Sequence, residues 1–299
     1  MLELIEVKKY FAKVKAVDGI SFIARPGEIF GLIGPNGAGK TTTIRMIMNI
    51  LAPDSGKILF SGSPLNEKHK MHIGYLPEER GFYKKVRVFD ILCYFASLKS
   101  DNEKRYRKQI DLWLERFELM PWKYSKVEEL SKGMSQKVQF IAAVAHEPDI
   151  LFFDEPFSGL DPVSSDILLK AILELGQAGK TILFSTHIME HAEKICSQIF
   201  LINKGREILS GSLTDIKNRF GQKTVVIEYE GQADFIEHLP QVASVVHYPH
   251  YLEINLKDGE PNELLRLLVA KLNVRRFEVK APSLHNIFIQ VIKAEEEDV

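Results

Sequence analysis

The segment "EIFGLIGPNGAGKTTT", Glu28 to Thr43, limits what this chain can fold into more than any other stretch. An apolar run ends at Gly34, and Gly39, Lys40 and Thr41 follow at the spacing G-x4-G-K-[ST], directly before a run that reads as a helix. Strand, glycine-rich turn and helix in that order form a Walker A phosphate loop. The glycines let the backbone curl until successive N–H groups point at one phosphate, and the helix N-terminus adds partial positive charge. Lys40 then reaches the β- and γ-phosphates, and the Thr41 hydroxyl ligates Mg²⁺. Gly34, Pro35, Asn36, Gly37, Ala38, Gly39, Lys40, Thr41 and Thr42 are therefore predicted to hold nucleotide phosphates. A turn that only capped a helix would leave Lys40 without a purpose.

Such a loop belongs in a parallel sheet, and the rest of the sequence supplies one. "LELIEV" and "ISFIA" read as strands ahead of the loop, and "KTTTIRMIMNIL" as the helix after it. "DILFFDEP" and "KTILFSTH" are buried-type apolar runs separated by the helical "DPVSSDILLKAILELGQAG", a β-helix-β rhythm that implies parallel strands and an α/β fold. Between them, residues 88–147 read as an inserted helical subdomain: "FDILCYFASL", "RKQIDLWLERFEL" and "MSQKVQFIAAVAHE" each carry an apolar stripe. A domain boundary is expected between Gly211 and Gly221, so that residues 1–213 form one domain and 222–299 another. The second shows the order β-α-β-β-α-β of a small α+β ferredoxin-like domain. Its last helix, "SLHNIFIQVIKA", opens at Ser283 and carries Leu284, Ile287, Phe288, Val291 and Ile292 on one stripe. That stripe packs either on the chain's own sheet or on the same helix of a second subunit.

"ILFFDEP" ends in Asp154 and Glu155, which alternation along a strand would aim at opposite faces. Asp154 suits Mg²⁺ held through water, and Glu155 suits the polarisation of an attacking water. His187 ends the next strand, placed to donate a hydrogen bond to a γ-phosphate. A second polar turn, "LSKGM" at Leu130 to Met134, also opens a helix and offers another anion seat.

Composition narrows the rest. At 299 residues the chain is long enough for two cores, and 45% hydrophobic with 26% charged residues is ordinary for a globular protein. A net charge of −1 argues against a nucleic-acid partner, and the basic "NEKRYRKQ" reads as a solvated helix face. Cys93 and Cys196 lack metal-ligand spacing and read as buried free thiols of a cytosolic protein. No secretory signal and no apolar run near 18 residues stands in the sequence, so a chain that neither spans a membrane nor is secreted is expected.

Walker A, "LSKGM", "LFFDEP", "SGLDP" and "STH", in this order, resemble the ATP-binding subunit of an ABC transporter over residues 1–213. The C-terminal extension resembles that of exporter ATPases of the sodium-efflux and drug-resistance group. The resemblance implies ATP and Mg²⁺ as ligands, with Lys40, Glu155 and His187 as catalytic residues and Thr41 and Asp154 at the metal. It implies a head-to-tail homodimer, or a pair with a second ATPase subunit, in which Ser131 and Gly133 close over the nucleotide on the other subunit's phosphate loop. Ser158 to Asp161 would link the two sites. Tyr10 matches the aromatic that stacks on adenine, with Phe11 as the alternative. Lys132 and Met134 depart from the usual Gly and Gln of the signature turn.

In "IGYLPEERGFY", Glu78 stands where the family usually has Gln, with Glu79 the alternative register. A carboxylate about 4 Å from phosphate charge costs about 4 kcal/mol at an effective dielectric near 20, which Mg²⁺ binding or protonation offsets. Glu78 is thus a candidate metal ligand. A membrane-spanning partner is implied, docked at Phe82, Tyr83, Val86 and Val88, with the subunit peripheral at the cytoplasmic face of the membrane. The rivals are a family ATPase acting on ribosomes or DNA, and a phosphate-loop kinase. One intact domain without a heptad insertion counts against the first, and "LSKGM" with "SGLDP" against the second.

Overall fold

A computed structural model describes residues 1–12, 14–78, 81–220, 224–257, 260–280 and 282–297; Glu79 and Gly221 lie outside them. The chain divides into two compact units, Met1–Ser212 and Leu213–Val299.

The first unit opens with β1 (Leu2–Phe11) and β2 (Val14–Ala24), followed by β3 (Ile29–Ile33) and α1 (Lys40–Ile47). Then come β4 (Ser55–Phe60), β5 (Ser63–Pro64), α2 (Glu67–Met71) and β6 (Ile73–Leu76). A helical stretch follows, α3 (Val88–Ser97), α4 (Glu103–Arg116) and α5 (Lys132–Val144). The chain returns through β7 (Ile150–Asp154), α6 (Pro162–Gln177), β8 (Thr181–Thr186), α7 (Met189–Ile195), β9 (Gln198–Asn203) and β10 (Arg206–Ser212). One sheet is antiparallel, in the order β2-β1-β4-β5. The other runs β10-β9-β3-β8-β7-β6, parallel except for the β10–β9 pair.

Every residue of β3 and β8 is buried, the sign of parallel strands covered on both faces. Gly31 is required there by close approach, because a Cβ would stand 2.7 Å from Cys196 Sγ. Cys196 is buried, as expected, whereas Cys93 is only half-buried. α1 is shorter than its apolar pattern, because Asn49 turns left-handed at φ 55° just past its C-cap, Met48.

The helical stretch is anchored beside the sheet's most polar strand end. Phe140 of α5 packs against Trp113, Phe117 and, at 5.2 Å between ring centres, Phe153 of β7, the residue before Asp154. All but Trp113 are fully buried. Phe140→Ala is expected to destabilise the protein by about 3–5 kcal/mol in urea unfolding; a loss below about 1 kcal/mol would contradict this packing. The charged residues of the basic patch in α4 are exposed as expected, whereas Tyr106 is 7% exposed and Gln109 half-buried.

The second unit holds α8 (Leu213–Arg219), β11 (Thr224–Glu230), β12 (Val242–His247), β13 (Leu252–Leu256), α9 (Pro261–Lys271), β14 (Asn273–Lys280) and α10 (Leu284–Glu297). The sheet order β12-β13-β11-β14, antiparallel throughout, is that of a ferredoxin-like fold. Its first crossover is a short 3₁₀ turn, Asp234–His238, in place of a full helix. Val225, Ile227, Ile236, Ile254, Leu264 and Leu268 form its core.

Candidate functional site

The candidate residues gather because four neighbouring parallel strands end side by side. Ile33 of β3 pairs with Thr186 of β8, Asp154 of β7 with Ser185, and Leu76 of β6 with Phe153. The phosphate loop, His187, Glu155 and Glu78 therefore leave adjacent strands at their carboxyl ends, where open α/β sheets bind ligands.

A cavity of about 200 Å³ lies there, bordered by Asn36, Gly37, Gly39, Lys40, Thr41, Thr42, Glu78 and Glu155, with Val14 and Ala16 closing it from β2. α1 starts at Gly39 with no side chain capping it, so its first N–H groups remain available to an anion. Gly37 has φ 78° and a Cβ there would meet nothing within 4 Å, which opens this part of the loop to the cavity. Gly34, Pro35 and Ala38 do not border the cavity but shape it. Lys40 Nζ donates to Gly34 O at 2.9 Å and Pro35 O at 3.1 Å, and Ala38, buried, accepts from Gly205 N at 2.9 Å.

Asp154 and Glu155 do not diverge as strand alternation suggests. Glu155 lies one residue past β7 with φ 48°, and this left-handed turn brings its carboxylate into the cavity. Its Oε1 stands 3.6 Å from Lys40 Nζ and 2.9 Å from His187 Nδ1, and Thr186 Oγ1 donates to Oε2 at 3.3 Å. A carboxylate oxygen accepts, so this bond calls for the proton on Nδ1 of His187. The Gln136 amide of α5 holds the same turn by donating to Pro156 O at 2.7 Å.

Asp154 is wholly buried. Burial raises its carboxyl above the usual range, and the charges of Glu78 and Glu155 push the same way, against hydrogen bonds from the Ser185 and Thr41 hydroxyls. Its Oδ2 has no partner in a fully buried side chain, which is what a carboxylate waiting for a cation looks like. Among the described residues no three His, Cys, Asp or Glu side chains form a preassembled metal cage. One or two carboxylates with the Thr41 hydroxyl suit Mg²⁺, which completes its shell from phosphate and water.

Ser131 and Gly133 stand apart from this cavity. Ser131 is exposed and caps α5 by accepting from Met134 N at 3.2 Å. Gly133 faces Leu160, and the Lys132 side chain lies over Gly159, where a Cβ would come within 2.7 Å of its Cε. Asp161 caps α6 through Ser164 N at 2.9 Å, while Ser158 N donates to Glu155 O at 3.1 Å. The segment 158–161 thus runs from Glu155 to the signature turn. Tyr10 is 39% exposed and does not border the cavity; its hydroxyl donates to Asp18 Oδ1 at 2.5 Å. That bond and Arg206 hold Asp18 down at about 2. Phe11 is exposed too, so neither aromatic is core. Val14, Ala16, Ser185 and Thr186 were not singled out from the sequence. The motif "STH" contained the last two, but a hydroxyl's partner is set by strand register, which motif spacing does not carry.

The Val88 expected at a docking surface is fully buried in the first turn of α3. Phe82 instead packs on Phe95 at 5.6 Å between ring centres, in an apolar cleft of about 390 Å³ that also meets Tyr75, Ala142 and His146. Tyr83 beside it is 68% exposed.

Comparison with known proteins agrees with this geometry. The family pattern described as ABC transporter matches residues 17–158, and that of the ATP-binding protein DrrA1-3-like, C-terminal domain, matches residues 211–292. An uncharacterized ABC transporter ATP-binding protein of Bacillus subtilis, YhaQ, is 42% identical over 98% of this chain and 99% of its own. The linearmycin resistance ATP-binding protein LnrL of the same organism is 31% identical over 97% of this chain and 98% of its own. A solved structure of an ATP-binding subunit of an ABC transporter is 32% identical, with a TM-score of 0.69, over 74% of this chain and 93% of that one. Proteins of this kind bind and hydrolyse ATP and act with membrane-spanning partners, and no helix of the described residues is itself long and apolar enough to cross a membrane. The chain belongs to the ABC transporter ATP-binding proteins and is an ATPase subunit of that family.

Proposed function

We propose that this ATPase subunit powers an exporter by pairing head to tail with a second ATP-binding subunit. The observation that carries the reading is the position of Ser131: the signature turn lies outside its own chain's cavity, exposed at the start of a helix that it caps itself, with a chain path that runs to it from Glu155. In this reading the phosphate-loop N–H groups and Lys40 hold the β- and γ-phosphates, and Glu155 takes the proton of the attacking water. Thr186 and His187 keep the Glu155 carboxylate oriented. Thr41, Asp154 and Glu78 would hold Mg²⁺, which would spread the charge of the phosphate oxygens. Tyr10 meets the adenine at the cavity's outer edge, and Ser131 and Gly133 donate to the partner's γ-phosphate.

A membrane-spanning partner inserts an apolar segment into the Phe82–Phe95 cleft. His146 in its wall is pushed down to about 4 by burial, so its imidazole stays uncharged at neutral pH. The subunit then sits at the cytoplasmic face of the membrane. The resistance function in the name of one relative favours export. Residues 222–299 do no chemistry and stabilise or modulate the pair. In α10, Leu284 and Ile287 are already buried within the chain, while Phe288, Val291 and Ile292 stay half-buried.

Ser131→Arg is expected to block hydrolysis with ATP affinity nearly unchanged, because the chain's own phosphate loop supplies most contacts. Mixing it with Lys40→Ala places both lesions in one composite site and leaves the other intact. Activity recovered only in the mixture supports sharing; ATP affinity lost equally in both single variants refutes it.

A further inference from the structure

One ammonium and two carboxylates border the nucleotide cavity, and a third carboxylate feels the charge of both. Lys40, Glu78 and Glu155 border it, and Asp154 stands behind Thr41 with its Oδ2 unpartnered. Lys40 is already engaged, 3.6 Å from Glu155 and bonded to two loop carbonyls. With the carboxyls ionised, two negative charges are left over around a space that has to admit a triphosphate. Glu78 is placed to matter. Glu78 and Glu155 border one cavity of only about 200 Å³, and the charge of Glu78 acts on Asp154 as well. Repulsion across such a space is several-fold stronger beside a protein wall than in bulk water. No preassembled three-ligand cage exists among the described residues to hold a cation in advance.

We propose that Glu78 makes divalent metal and nucleotide bind this site only as a pair: its carboxylate repels a metal-free triphosphate, and with Thr41 and Asp154 it takes the cation once phosphate oxygens complete the shell. The inference rests on reading the cavity as the triphosphate site. A glutamine at this position would leave the metal a neutral ligand and remove the repulsion, so the obligatory pairing is a property of the carboxylate itself.

The test is calorimetric titration of ATP into the full chain with Mg²⁺ or with EDTA. For the parent, replacing Mg²⁺ by EDTA is expected to weaken ATP by about 100-fold or more, whereas Glu78→Gln narrows the loss to under about 10-fold, a change of at least ~1.4 kcal/mol. Glu78→Asp, which keeps the charge, should retain the larger part of the parent's loss. Mn²⁺ followed by electron paramagnetic resonance should bind the parent tightly only when ATP is added. An EDTA penalty equal in the parent and Glu78→Gln overturns the proposal, as does tight Mn²⁺ binding without nucleotide. Failure of the parent to bind ATP even with Mg²⁺ would instead overturn the reading of the cavity.

Discussion

Glu155→Gln is expected to keep ATP binding and to lose turnover by about 100-fold or more, the usual consequence of removing a group that acts in the transition state. The substitution preserves the shape of a side chain that is 6% exposed, and the amide oxygen still accepts from Thr186 or His187. What disappears is the ability to take a proton. Lys40 loses its ion pair at 3.6 Å but keeps its two carbonyl acceptors, so it stays directed at the phosphate loop. ATP affinity should hold or rise, because one negative charge has left the cavity. Slow turnover with intact binding should also trap the ATP-bound pair, seen as an earlier elution in size exclusion with ATP. Hydrolysis at the parental rate, or only single subunits under those conditions, would refute the role given to Glu155.

Gly39→Ala is expected to weaken ATP binding by about 100-fold or more while leaving the fold in place. Gly39 has φ 113°, where an L side chain is strained by about 1–3 kcal/mol. A Cβ there would also stand 2.3 Å from Ala16 O, a backbone atom that cannot rotate away. Ala16 borders the cavity itself, and Asp18, two residues on, is fixed by its N–H to Gly205 O at 2.8 Å. The loop therefore has to yield, and with it the N–H groups at the start of α1. Calorimetry measures the loss, and a far-ultraviolet circular dichroism spectrum matching the parent's shows that the sheets persist. Parental affinity would mean that these N–H groups do not hold the nucleotide.

Much of the architecture was legible because its causes are local. The apolar runs of β3, β7 and β8, the glycines of the phosphate loop and the ferredoxin-like character of the second unit all follow from periodicity and turn chemistry. Three readings failed for one shared reason. Val88 looked like part of a docking surface, and the packing of α3 buries it. Cys93 looked buried and is half-exposed to its surroundings. Asp154 and Glu155 looked divergent, and a left-handed residue brings both to one site. Exposure and direction depend on what the rest of the chain places opposite a residue.

By itself the sequence determined which residue types would meet a phosphate, and that a parallel sheet would carry them, because the Walker A spacing and the buried strand runs are properties of contiguous residues. The tertiary structure decided how they are wired. The register of β6, β7, β8 and β3 brings Glu78 and Glu155 to one cavity, puts Thr186 and His187 on the Glu155 carboxylate and leaves Asp154 Oδ2 unpartnered. A register is fixed by the packing of whole strands and helices against one another, an energy summed over contacts distant in sequence, and no local motif contains that sum.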